Sequence, residues 1–178
     1  MGGSRAIATL DTEVLERIRQ VTRDGHMVLV GDAPGVDDAI QRLLADDRYD
    51  NVRVFVSAGQ CRRNHGKWPV EEVTVPTSRR DRRFHMAKDL EMSKQADEGL
   101  MVWDGISLGT FANVVELAER RAPVTLFLAP AHEVRFIDTT ADVRSLLDEL
   151  PQETARTLDQ RLGVRKRLGS PQLVLDLP

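Results

Sequence analysis

Gly99 to Arg121 reads GLMVWDGISLGTFANVVELAERR. It opens as an apolar run, which predicts a strand buried on both faces of a sheet. It breaks at Asp104, Gly105, Ser107, Gly109 and Thr110, then resumes as a helical pattern from Phe111 to Arg121. Glycines between a strand and a helix let another group approach the backbone closely. The helix start offers free N–H groups to an anion. Ser107 and Thr110 add hydroxyl donors, so this unit predicts an anion-binding loop.

The same setting occurs upstream. HMVLVG, from His26, predicts a buried strand, DAPG a turn, and Val36 to Ala45 a helix with Val36, Ile40, Leu43 and Leu44 on one face. Gly31, Asp32 and Gly35 make that turn. Asp32 and Asp37 can each accept hydrogen bonds from a ribose or cap the helix, and for Asp37 capping is the favoured reading. Two such loops at the carboxyl ends of parallel strands define a crevice, and a phosphate-bearing ligand is expected there.

Working outward, a helix is predicted over Asp11 to Asp24, closed by Gly25. Strands are predicted at NVRVFVSAG (from Asn51) and PVTLFLA (from Pro123), with a short edge strand at VEEVTVP ended by Pro76. A helix is expected near Arg80 to Gln95. Alternating strands and helices predict an α/β, Rossmann-like doubly wound fold with a mainly parallel sheet over residues 1–138. After Ala129 the pattern weakens. Helices at Asp142 to Leu150 and Glu153 to Leu162, with an apolar patch at Leu173 to Leu177, predict a C-terminal helical appendage and tail over 139–178. Such a sheet normally begins with a strand before its first glycine turn. MGGSR leaves no evident room for one.

The 178 residues suffice for one domain with a sizeable core. No apolar run approaches the ~18 residues of a membrane helix, and no secretory signal is visible. Cys61 stands alone, which fits a reducing cytoplasm. The net charge of −3 is uneven. Gln60 to Lys88 holds eight basic residues against Glu71, Glu72 and Asp81, a net +5, so the rest carries −8. A local basic block suits a defined anionic ligand better than nucleic acid, although DNA binding through Arg79 to Arg83 is a weaker alternative.

Lys88, on the helix before the glycine loop, can pair with a phosphate, or it can lie solvated together with Lys94. In CRRNHGKW, Trp68 can stack on a base with Arg62, Arg63 and Asn64 making polar contacts, or it can simply pack. His26, His65, His85 and His132 are too scattered for a metal site. No Walker loop is present, and no cofactor is called for.

Taken together, GSR at Gly3 to Arg5, GDAPGVDDAIQ, RRNHGKW, MAKDLEMSKQAD and GLMVWDGISLGTFANV resemble small bacterial and phage proteins of the SLOG superfamily. That superfamily includes the Lonely Guy phosphoribohydrolases and the DNA-processing protein A. The resemblance covers residues 1–138. It implies a nucleotide or nucleotide-derived ligand, contacts from Gly3, Ser4 and Arg5, and a homodimer. Lonely Guy enzymes cleave the N-glycosidic bond of a nucleoside monophosphate with a PGGxGTxxE loop and an Arg-Lys pair. The matching loop is Asp104 to Thr110, the glutamate position is Asn113, and the pair falls on Lys88 and Asp89. The phosphate cradle is thus retained in form, while the carboxylate that would stabilise a ribosyl cation is an amide. Glu116, Asp32, Asp37, Asp89 and Asp104 are the candidate substitutes. A binding or sensing module is the expectation, with a nucleotide N-glycosidase as the alternative.

Overall fold

The structure, a computed structural model, describes residues 1–57, 61–74 and 82–169. The fold is α/β and Rossmann-like, with mostly parallel strands flanked by helices and a helical C-terminal part. Strands β1 (Gly2–Gly3), β5 (Gly99–Trp103), β6 (Val124–Leu128) and β7 (Glu133–Ile137) are neighbours in that order. Strands β2 (Val28–Gly31), β3 (Val52–Ser57) and β4 (Val70–Val73) form a second run. The Met1 nitrogen donates to the Leu29 carbonyl at 2.6 Å and links the two runs beside β1. From β1 the chain therefore winds outward through β2, β3 and β4, then returns to β5 on the other side.

β1 corrects the expectation that MGGSR has no room for a first strand. It is two residues long and pairs in parallel with β5, Gly2 opposite Met101 and Gly3 opposite Val102. A Cβ on Gly3 would strike the Val102 carbonyl and Val36, so a glycine is what lets the strand sit this close.

Residue parity on β5 shows why the run GLMVW is apolar throughout. Leu100 and Val102 join Val28, Val30, Val54, Val56 and Trp68 on one face. There they meet Val14 and Ile18 of α1 (Thr12–Arg23) and Val36, Ile40 and Leu44 of α2 (Val36–Asp46). Met101 and Trp103 face the other way, against Phe111, Val114 and Val115 of α4 (Leu108–Glu119). Helices α5 (Thr140–Glu149), α6 (Gln152–Leu162) and α7 (Val164–Arg167) complete this second core with Val143, Leu147, Leu158 and Val164. Helix α3 (Arg82–Gln95) leads into β5.

Two further elements went unread in the sequence. β7 pairs antiparallel with β6 after the turn at Ala129 to His132. Of its five residues only Ile137 is buried, and its Arg135 is paired with Glu133 and Glu149, so the apolar signal is weak. The short α7 follows Gly163, which closes α6 with a left-handed φ of 62°. Helix α4 also starts three residues earlier than its apolar pattern predicts. Ser107 is its N-cap, and Leu108, Gly109 and Thr110 form its first turn. Ala58 and Gly59 of the predicted third strand, Pro76, Arg79, Arg80 and the Leu173 to Leu177 patch lie outside the described residues, as do the side chains of residues 82–87.

Candidate functional site

A cavity of about 400 Å³ opens at the carboxyl ends of β1 and β5. This is where strand order reverses, the position at which open α/β sheets bind ligands. One wall is the chain after β1, with Arg5 and Ala6. A second is the α2 turn, with Ala33 and Asp37. Asp89 and Met92 of α3 form a third, and Asp104, Ser107, Gly109, Thr110 and Asn113 close the fourth. A larger cavity of about 560 Å³ lies at the opposite end of the strands, around Met27, Gly99 and Thr125. None of the candidate ligand-binding or catalytic residues lines it.

The α4 wall is built by local hydrogen bonds. Asp104 Oδ1 accepts the Ile106 and Ser107 amides at 3.1 and 2.7 Å, and Gly105 turns with φ of 82°. Trp103 Nε1 donates to the Ser107 carbonyl at 3.0 Å. The Ser107 hydroxyl donates to Thr110 Oγ1 at 2.7 Å rather than capping a helix amide. Buried Ser4 ties in the first strand. Its Oγ lies 2.8 Å from the Ser107 hydroxyl and accepts the Asp104 amide at 3.1 Å. The first-turn amides of α4 have no intrahelical acceptors. Gly109 stands among them, and nothing lies within 4 Å of where its Cβ would be. Arg5 is exposed at the rim.

The α2 turn is different. Gly31 is not open to a ligand, because a Cβ there would collide with the Asp37 carboxylate and the Lys88 ammonium. Gly35, with φ of 83°, is pressed against the Arg5 backbone. It is the N-cap of α2, so Asp37 does not cap the helix as favoured from sequence. Asp37 lies in the first turn, 6% exposed, and its Oδ2 accepts the Ala33 amide at 3.3 Å.

Lys88 is neither solvated nor free for a phosphate. It is 1% exposed, with Nζ 2.6 Å from Asp89 Oδ1, 3.8 Å from Asp37 Oδ2 and 3.9 Å from Asp32 Oδ1. Burial opposes its charge, but Asp89, Asp37 and Asp32 outweigh it and raise its pKa above the ordinary 10.5. The ammonium sits among three carboxylates. Among the described residues no group of His, Cys, Asp or Glu is arranged to hold a metal ion.

Asp32 is also turned away from the cavity. Arg62 clasps it with Nε at 2.9 Å and with a second, shorter guanidinium contact, and the Arg62 amide donates at 3.1 Å. Burial opposes ionisation of Asp32, but the Arg62 hydrogen bonds and Lys88 hold its carboxyl below the usual 3.8. Burial pushes the Asp37 carboxyl up from 3.8, against the pull of Lys88.

Trp68 takes one of its two expected roles, and the roles expected of Asn64, Arg63 and Glu116 are corrected. Trp68 is 5% exposed in the core, with Nε1 donating to the Tyr49 carbonyl at 2.9 Å, so it packs rather than stacks on a base. Asn64 closes its own loop through the Trp68 amide and carbonyl, and Arg63 pairs with Asp38 at 2.9 Å. Glu116 faces α7 instead of the cavity and accepts from Arg167 at 3.2 Å. Of the carboxylates weighed as substitutes, only Asp37, Asp89 and Asp104 line the cavity, together with Asn113. Gly2, Ala6, Ala33 and Met92 also line the cavity and were missed by sequence reasoning. All four are apolar and carry no signal apart from the strand, turn and helix that hold them.

Among the described residues no helix is long and apolar enough to cross a membrane. Comparison with protein-family models gives no match, and no curated protein or solved structure matches the chain either.

Proposed function

We propose that the protein binds a nucleotide or nucleotide-derived ligand in the cavity between α2, α3 and α4, with its phosphate on the first-turn amides of α4. The observation that carries this reading is Gly109. It sits in the first turn of a helix, at a cost of up to about 1 kcal/mol relative to alanine. It has no neighbour that demands a glycine and no positive φ. Its missing side chain leaves backbone donors open to the cavity, which is the form of a phosphate cradle. Arg5 at the rim supplies the cation that the sequence assigned to Lys88.

Native mass spectrometry against nucleoside mono-, di- and triphosphates and dinucleotides tests this. An intact ligand mass, displaced by inorganic phosphate and lost in Gly109→Val, is the expected result. No adduct with any nucleotide would refute the reading.

A second reading is N-glycosidic cleavage, favoured by Asp37 and Asp89 on the wall of the same cavity. A carboxylate beside the sugar can stabilise the developing oxocarbenium ion, and a protonated carboxyl can donate to the leaving base. Release of free base from a bound nucleotide, abolished in Asp89→Asn, is the observation that would establish it.

A further inference from the structure

The cavity has two chemically distinct ends. The α4 end offers backbone amides with Arg5 at the rim, and suits an anion. The other end is walled by Asp37 and Asp89 and suits a hydrogen-bond donor. Both carboxylates spend one oxygen on the same buried ammonium, Lys88 Nζ, at 3.8 and 2.6 Å. That shared contact fixes them side by side.

Asp37 is more than nine-tenths buried. Its Oδ2 takes the Ala33 amide and faces Lys88. Its Oδ1 receives no hydrogen bond among the described residues and lies by Gly2, whose added Cβ would stand 3.2 Å from it. Gly2 itself lines the cavity. A carboxylate oxygen that lies at a cavity wall without a protein donor can take one from a ligand. Lys88 already supplies a cation to this cluster, so the demand is for neutral O–H donors, not for a second ammonium. Two adjacent carboxylates match two adjacent hydroxyls.

We propose that Asp37 and Asp89, held in place by Lys88, form a subsite for the vicinal diol of the ligand's sugar, so that the cavity selects ribonucleotides over 2'-deoxyribonucleotides. The inference rests on the nucleotide reading above. It adds a polarity to it: phosphate at the α4 end, sugar hydroxyls between α2 and α3. Of the two, Asp89 is the less buried, its side chain 22% exposed, and is the one a substitution can probe without removing a core group.

Isothermal titration calorimetry with the four nucleoside 5'-monophosphates and their 2'-deoxy counterparts tests the proposal in the unmodified protein. The expected result is at least about tenfold tighter binding of the ribonucleotide, the loss that an unmet hydrogen bond to a charged group produces. In Asp89→Asn, with melting temperature checked, ribonucleotide affinity should fall to the deoxyribonucleotide level while the latter barely changes. Equal affinity for the two sugars in the unmodified protein would overturn this inference and leave the nucleotide reading standing. No heat with any nucleotide, or with ribose 5-phosphate, would overturn both.

Discussion

The two glycine turns, GDAPG after β2 and DGISLGT after β5, carry the same signature and do opposite things. At the first, the space beside Gly31 is occupied by Asp37 and Lys88, and the space beside Gly35 by the Arg5 backbone. Those glycines let protein approach protein. At the second, the position above Gly109 is empty and opens into the cavity. The missing side chain there leaves room for something that is not protein. A glycine between a strand and a helix therefore reports close approach without saying by what.

The largest break in this comparison comes from Lys88. Lys88→Met removes the counter-charge of three carboxylates and should destabilise the fold by about 3–5 kcal/mol, the penalty of leaving buried charge unpaired. Urea unfolding measures it. A loss under 1 kcal/mol would mean that the first turn is not held by this ammonium.

Gly31→Ala should come next, at about 1–3 kcal/mol, because its methyl group must displace Asp37 and Lys88. The same denaturation curves give the number, and an unchanged midpoint would show that the ion pair yields at no cost.

Acid titration separates the two carboxylates of that turn. Asp32 is held below 3.8, so the stability it contributes is present above that value and is lost as pH falls through its folded pKa. Asp37 is raised, so its contribution is present below 3.8 and is lost as pH climbs through its elevated pKa. Asp32→Asn should flatten the acid limb of a stability–pH profile, and Asp37→Asn the limb above it. Parallel profiles for both variants and the parent chain would contradict this.

The smallest effect is the sharpest. Gly109→Ala should leave stability unchanged or raise it by up to about 1 kcal/mol, since alanine is the better helix former and nothing lies in its way. Where Gly31→Ala destabilises, Gly109→Ala should not. A destabilised Gly109→Ala would erase the difference between the two turns.

Much of the fold was legible. The apolar runs at Val28, Val52, Gly99 and Val124 are strands covered on both sides, and that burial is what makes them continuous. β7 was not, because its polar pairs at Arg135 mask its alternation. The cavity wall at Asp104 to Thr110 was legible in its glycines and hydroxyls. The α2 turn was misread because a charge network across three elements leaves no local mark. Lys88 is 56 residues from Asp32 in sequence, and its helix looks like a solvated one. Trp68 illustrates the same limit: its indole N–H finds the Tyr49 carbonyl 19 residues away. The hydrogen bond that allows its burial is invisible in CRRNHGKW.

Ser4 has a consequence for how the molecule forms. Its hydroxyl joins partners at Ser107 and Asp104, 103 and 100 residues further along the chain. A contact of such separation carries a large loop-closure penalty, which favours its forming after the elements between have taken their places. On a ribosome adding about 5–20 residues per second, the first strand waits on the order of ten seconds for the strand it will pair with. The cavity is then a late product of folding, complete only when the two halves of the sheet close around β1.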